Sequence, residues 1–290
     1  MDNTVCDGHL ELLFFLGGEP MLVSIREKVI FSIRAKVIFS GVLGLLELTI
    51  LPCEYDFPSS NFTSAIALAS TFTDVVLSTL PDIQFRFGND NDAGLIRGVG
   101  SVIGQEGEQN GFYRQILKKV PSALPFLTAG ARDFALSAIV QNFVVKNSCP
   151  SLGVLEPTLT IFEPLTVVTD PSQITSDMDS VIEFSIEFSI ESVPSMSKAK
   201  RDYMPKSYYT AEGMNGLQVT YINQQNVPLS YEFEVISINN GLITFRAPFP
   251  GETHEMNGLT IAAVTHGGNF TDPDLVAQMT QFGPGLIEVN

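Results

Sequence analysis

The chain has 290 residues, 44% of them hydrophobic and 17% charged, enough apolar mass to bury one or two cores, which excludes a wholly disordered protein. Its 32 acidic against 16 basic residues give a net charge of −16, and that sign excludes a protein built mainly to grip the phosphates of nucleic acid. Residues 1–150 hold 15 acidic and 11 basic side chains while residues 151–290 hold 17 and 5, which predicts two segments of different chemistry.

Residues 1–56 form an apolar segment that fits either one helix of a bundle or an exon foreign to the rest of the chain. Leu10 to Leu16 is apolar but follows Asp2 and Asp7, with no basic residue before Arg26, so a secretory signal with a basic head is not evident. Residues 24–39 read SIREKVIF-SIRAKVIF. Such units are too short and too few for a solenoid, and the tandem is explained by local duplication or by a misjoined first exon. In the second case the chain would be a truncated copy whose helices lack partners. Val37 to Leu51 carries Glu47, Gly41 and Gly44 and is shorter than the ~20 apolar residues that span a bilayer. It is expected as a buried helix, and no transmembrane span is expected.

From Phe57 to Cys149 the signals are helical. Pro58-Ser59-Ser60-Asn61 is a start signal, and Phe62, Ile66, Ala69, Phe72, Thr73, Val76 and Leu80 recur at helical spacing up to Pro81, where the helix is expected to stop. After the turn-rich Gly88-Asn89-Asp90-Asn91-Asp92, a second helix is predicted over 93–119, closed by Lys118-Lys119, cations that complement the helix dipole. A third is predicted from Ala131 to Lys146. Antiparallel helices joined by short Pro- and Gly-marked loops read as part of an up-down bundle.

The cysteines Cys6, Cys53 and Cys149 show no C-x-x-C spacing, so neither a zinc nor a dithiol redox site is predicted. One bridge is open to them. Joining Cys53 to Cys149 would close a long loop and stabilise the fold by roughly 4–5 kcal/mol in the chain-entropy model; spacing leaves that bridge and two buried thiols equally open. Asn61-Phe62-Thr63 and Asn269-Phe270-Thr271 are glycosylation sequons, which makes Asn61 and Asn269 candidate modification sites.

Beyond Pro150 the period changes to that of strands, in a region spanning 151–290. Ile182, Phe184, Ile186, Phe188 and Ile190 alternate with Glu or Ser, the pattern of a half-buried strand. Leu217 to Ile222, Leu229 to Ile238 and Leu242 to Ala247 are further strands, the last two joined by the hairpin signal Asn239-Asn240-Gly241. Leu259 to Val264 and Gly285 to Val289 complete an antiparallel, sandwich-like module. Ser195 to Lys206, with Lys198, Lys200, Arg201 and Lys206, is expected as an exposed loop.

The predicted second helix contains the one segment with candidate chemistry. Glu106 follows Ile103 by three residues and precedes Tyr113 by seven, which puts it on or beside the apolar stripe, where an ionised carboxylate is costly unless paired, hydrogen-bonded or bound to metal. Di-iron bundles meet that cost with Glu and Glu-x-x-His pairs, whereas the positions here read Glu106-x-x-Gln109, and a neutral amide oxygen is a poor substitute for imidazole toward iron.

Residues 69–77 (ASTFTDVVL), 102–114 (VIGQEGEQNGFYR) and 121–128 (PSALPFLT) resemble the ferritin-like domain of the fungal late-sexual-development proteins, relatives of stress-response and desiccation-related ferritin-like proteins. The resemblance covers residues 57–150, and the β-rich remainder fits that family's C-terminal region more loosely. It implies an α+β fold with an N-terminal ferritin-like helical domain, here a partial four-helix bundle, followed by a β-rich sandwich-like region. It further implies a protein outside the cell or in the cell wall, acting in sexual development or stress response. Histidine is replaced by Gln109, and the carboxylates and Glu-x-x-His of a first helix pair are missing from residues 1–50, where Glu47 is the one acidic residue within an apolar helix-like run.

Glu106 and Gln109 are therefore the candidate metal ligands of a site expected to be structural, with iron or manganese as the metals of the alternative. Other motifs point nowhere: His9, His254 and His266 are scattered, Gly94, Gly98 and Gly100 follow no predicted strand, and there is neither a Gly-x-Ser-x-Gly elbow nor a P-loop. The expected function is non-enzymatic, structural or binding, toward a cell-wall or protein partner, with the oligomeric state open. The alternative is a metal-dependent, di-iron type oxidase or peroxide-handling bundle.

Overall fold

The computed structural model describes residues 11–16, 19–24, 53–120, 126–150, 152–155, 158–187, 214–239 and 241–289. Most of the octapeptide tandem, the run from Val37 to Leu51, residues 121–125, the end of the alternating strand at 188–191 and the basic stretch from Ser195 to Lys206 lie outside the described residues. Within the first segment, β1 (Glu11–Leu16) and β2 (Glu19–Ser24) pair antiparallel as a hairpin, so this part of 1–56 is not a bundle helix.

Helix α1 (Phe62–Asn89) begins at a reciprocal cap. Asn61 Oδ1 accepts from the Ser64 N–H at 2.9 Å, and the Ser64 hydroxyl accepts from the Asn61 N–H at 3.1 Å, which satisfies two backbone donors that a helix start leaves open. The helix does not stop at Pro81, as predicted, but continues to Asn89. Proline has no N–H for the Leu77 carbonyl, yet the opened turn is stitched by other groups. The hydroxyls of Ser78 and Thr79 donate to the Val75 carbonyl at 2.7 and 2.8 Å, and the Ser78 carbonyl accepts from the Gly130 N–H at 2.9 Å. Past the proline, Asp82 and Arg86 are held by partners on other elements, so tertiary contacts override the local break.

Helix α2 (Ala93–Ile116) runs back along α1, and between them Ile66, Ala69 and Tyr113 form a small core flanked by Phe57 and Phe72. At its end Lys118 takes φ +60° and the Lys119 N–H closes on the Arg114 carbonyl at 2.9 Å. Helix α3 (Arg132–Asn142) is shorter than the predicted run to Lys146. Phe143 and Val145 leave the helix to pair with the segment after Cys53: the Asp56 N–H donates to the Phe143 carbonyl at 2.8 Å and the Val145 N–H to the Glu54 carbonyl at 3.0 Å. Phe143 stacks against Phe72 and Phe57, with ring centroids 4.5 and 5.8 Å away, and this burial outweighs one more helical turn. A short α4 (Leu152–Leu155) follows.

The strands make two four-stranded antiparallel sheets. The first has the order β10 (Thr280–Val289), β9 (Gly258–His266), β5 (Leu217–Asn223), β6 (Leu229–Tyr231), and the second β3 (Thr166–Val167), β4 (Ser180–Glu187), β8 (Leu242–Phe249), β7 (Glu234–Asn239). Between them lies the larger core, where Phe184, Ile186 and Phe245 of one sheet meet Val219, Tyr221 and Val264 of the other. The other face of the first sheet is not wet: Ile222, Ile261 and Ala263 pack on Val75 of α1, Phe134 of α3 and Val276 of α5 (Pro273–Met279). That is why β9 is buried along nearly its whole length, whereas β8 alternates inside and outside. The predicted strand from Leu229 to Ile238 is two strands in different sheets. Tyr231 pairs with Val219, Glu234 with Arg246, and Phe233 turns the corner with its ring 4.6 Å from that of Phe245.

The chain is thus mixed helix and antiparallel sheet, with the long helices first and the two sheets after them, stacked as helices, sheet and sheet. Among the described residues the α1–α2 pair packs on a sheet and on α3, and not on a second long helix pair.

Candidate functional site

Among the described residues the largest fully buried side chain is an arginine. Arg114 of α2 is 2% exposed, and a guanidinium at that depth requires anions and acceptors around it. Asp74 of α1, 4% exposed, places Oδ2 at 3.8 Å from Arg114 Nη1, and Glu288 of β10 places Oε2 at 3.7 Å from the same nitrogen. Arg114 Nε donates to the Val120 carbonyl at 2.7 Å. Asn110, one turn before Arg114, donates from Nδ2 to Asp74 Oδ1 at 2.7 Å and accepts from the Ser70 hydroxyl at 2.8 Å. The spacing explains the assembly: Ser70 and Asp74 are four apart on α1, Asn110 and Arg114 four apart on α2, and such pairs share a helix face. Glu288 arrives from the helix-facing side of β10, because its neighbours Ile287 and Val289 belong to the core between the sheets.

Charge in this cluster does not balance if every group ionises. Burial pushes the Asp74 carboxyl up despite the attraction of Arg114, and burial together with the Asp74 charge pushes Glu288 up to about 8. Asp74 Oδ2 and Glu288 Oε1 are both buried without a hydrogen-bond donor, and a proton on one of the two acids would remove the excess charge. Buried on three elements, the cluster binds helices to sheet and offers no face to a substrate. A second, more open network has the same role. Asp82 of α1 lies 3.4 Å from Arg132 of α3 and 3.4 Å from Arg86, and Arg86 reaches Asp274 of α5 at 2.6 Å.

Glu106 and Gln109 sit on α2, both half-buried. Burial, and after it the charge of Glu106, raises the Tyr113 hydroxyl. Among the described residues no group of three or more His, Cys, Asp or Glu side chains converges in a way that would hold a metal ion. Asp74 and Glu288 already have a guanidinium, that of Arg114, as their cation, so among the described residues this carboxylate pair does not fit a dinuclear centre. His254 lies in the turn 251–255, its N–H closing on the Pro250 carbonyl at 3.1 Å, and Gly94, Gly98 and Gly100 lie within α2.

The structure brings Cys53 and Cys149 together as a disulfide, with Cα atoms 4.2 Å apart and a sequence separation of 96. Asn61 and Asn269 are both exposed, the first as the α1 cap and the second at φ +61° in the loop between β9 and α5. Among the described residues one helix, α1, is long and apolar enough to cross a membrane, but most of its apolar stretch is buried inside the protein. Asn110, Arg114 and Glu288 were missed by sequence reasoning. A signal for the first two was present, since Asn110 falls on the stripe that holds Ile103 and Tyr113. No protein-family model matches the chain, and no curated protein matches it.

Proposed function

We propose that this chain is a non-enzymatic, ferritin-like protein of the fungal late-sexual-development type, exported to the cell wall or beyond and acting there by structure or binding in sexual development or stress response. The observation that carries the reading is the α1–α2 hairpin, which bears the family-like segments 69–77 and 102–114 and fills its interior with a charge-compensated Asp74–Asn110–Arg114 cluster. Where a di-iron bundle presents Glu-x-x-His, this helix presents Glu106-x-x-Gln109. Export is supported by the Cys53–Cys149 disulfide, a bond that persists in oxidising compartments, and by two exposed sequons.

Metal analysis of the purified chain tests the proposal. The expected result is iron and manganese far below one equivalent and no change in Glu106→Ala. Stoichiometric metal that is lost in Glu106→Ala would overturn it in favour of a metal-dependent oxidase or peroxide-handling bundle. The same protein, made through a eukaryotic secretory route, is expected to carry glycans that disappear from Asn61 in Thr63→Ala and from Asn269 in Thr271→Ala, measured by mass spectrometry before and after glycosidase treatment.

A further inference from the structure

The buried cluster sets two carboxyls, Asp74 and Glu288, 3.8 and 3.7 Å from one guanidinium nitrogen, and its members come from different layers. Asp74 belongs to α1, Arg114 to α2 and Glu288 to the last turn-free stretch of β10. Only Glu288 belongs to the sheet, so the two carboxyls converge on the guanidinium across a layer boundary. Asp74 Oδ1 is taken by Asn110 at 2.7 Å, which leaves Oδ2 toward Arg114, the cation that Glu288 also faces. Neither Asp74 Oδ2 nor Glu288 Oε1 has a donor from a neutral side chain or from backbone. Two ionised carboxylates in that arrangement would repel across the layer boundary at low dielectric, with a single guanidinium 3.7–3.8 Å away to offset both. With one proton between them the same contact is a strong, charge-assisted hydrogen bond.

We propose that the Asp74 and Glu288 carboxyls share one proton and form a pH-sensitive latch between the α1–α2 hairpin and β10, closed in acid and released in alkali. On release the proton passes to solvent and the cluster gains one negative charge. The charged groups that face the pair are Arg114 on α2 and Lys119 just beyond it, both favouring ionisation. Of the other segments against β10, the stretch at Glu163 bridges Phe282 and brings a carboxyl that burial raises, and the turn 171–173 is capped by Asp170, which accepts from Ser172; Leu259 of β9 stands across from Glu288, Val167 of β3 packs on Gly285, and on α3 Arg132 pairs with Asp82 while Asp133 accepts from the Thr160 N–H. The proposal is independent of the ferritin-like reading.

The sign follows from linkage. A carboxyl raised in the folded state contributes stability that is complete below its unfolded value near 4.5 and is lost as pH rises through about 8, the folded value for Glu288. Thermal unfolding of the full chain is therefore expected to show a Tm that falls by at least about 4 °C between pH 5 and pH 9. Glu288→Gln, which keeps a donor toward Asp74 and cannot ionise, is expected to remove more than half of that fall, and Asp74→Asn to do the same. A fall that is unchanged in a folded Glu288→Gln overturns the latch. If neither variant folds, carboxyl-carbon NMR of the wild-type chain decides: the Glu288 resonance is expected to begin its shift only above about pH 6, and a shift complete with those of surface glutamates near their ordinary value overturns it.

Discussion

Arg114 shows how one residue can be both costly and indispensable. Sinking a guanidinium to 2% exposure carries a desolvation penalty of several kcal/mol, which the Val120 carbonyl, Asp74 and Glu288 together offset. Removing the cation alone leaves the acids without their counter-charge. Arg114→Met, similar in reach and apolar, is expected to destabilise the chain by about 3–5 kcal/mol at neutral pH, measured by urea unfolding, and by less at pH 5, where both carboxyls are more fully protonated. A loss that is equal at the two pH values would mean that packing, and not charge, is what Arg114 supplies. In the sequence this arginine looks like an ordinary last-turn cation. Its role depends on Glu288, 174 positions away by residue number, and no local period carries that information. Asp74 was hidden for the related reason that one polar residue among Val, Thr and Phe on a helix reads as a solvent-side position until the covering sheet is known.

At the scale of elements, the fit between α1 and the first sheet depends on how closely the chain passes at Gly130. A Cβ there would meet Ser78 Oγ at 2.9 Å and Ile261 Cδ1 at 3.0 Å, where the Gly130 N–H bonds the Ser78 carbonyl beside the Pro81 turn. Gly130→Ala is expected to cost about 1–3 kcal/mol as overpacking, read from the midpoint of thermal or urea unfolding, whereas an alanine at Gly104, with open space around it, is expected to be neutral or slightly stabilising as a helix residue. The contrast between strands and helices also explains what was legible. The inward Ile182, Phe184 and Ile186 of β4 and the Asn239-to-Gly241 hairpin were readable because alternation and turn chemistry are local, and Gly241 does take φ +85°. The break at Glu232-Phe233 was not, since a strand that changes sheets keeps its β-branched and aromatic composition throughout. Likewise Pro81 is a local stop signal whose effect was cancelled by Gly130 and Asp82 contacts that exist only after folding.

Across the whole molecule, beside the apolar packing of Val75 and Phe134 on Ile261, the helical layer is braced by the Arg114–Glu288 pair to β10, by the Asp82–Arg132 and Arg86–Asp274 network to α3 and α5, and by the disulfide within it. The first two depend on protonation or salt, and the third does neither. The bridge joins the segment before α1 to the segment after α3, so it closes a loop that contains α1, α2 and α3. Constraining a loop of that length in the unfolded chain is worth about 4–5 kcal/mol, or roughly 10 °C in Tm for a protein of this size. Reduction, or Cys53→Ser with Cys149→Ser, is accordingly expected to lower Tm by that order while leaving the folded sheets intact. The two segments also pair through the Glu54, Asp56, Phe143 and Val145 backbones and the rings of Phe57, Phe72 and Phe143. These contacts do not depend on the bond, so the reduced chain is expected to remain folded and to lose stability without losing its near-ultraviolet signature below the midpoint. A reduced chain that unfolds outright at 25 °C would show that the bridge holds the helical layer in place and does more than restrict the unfolded state.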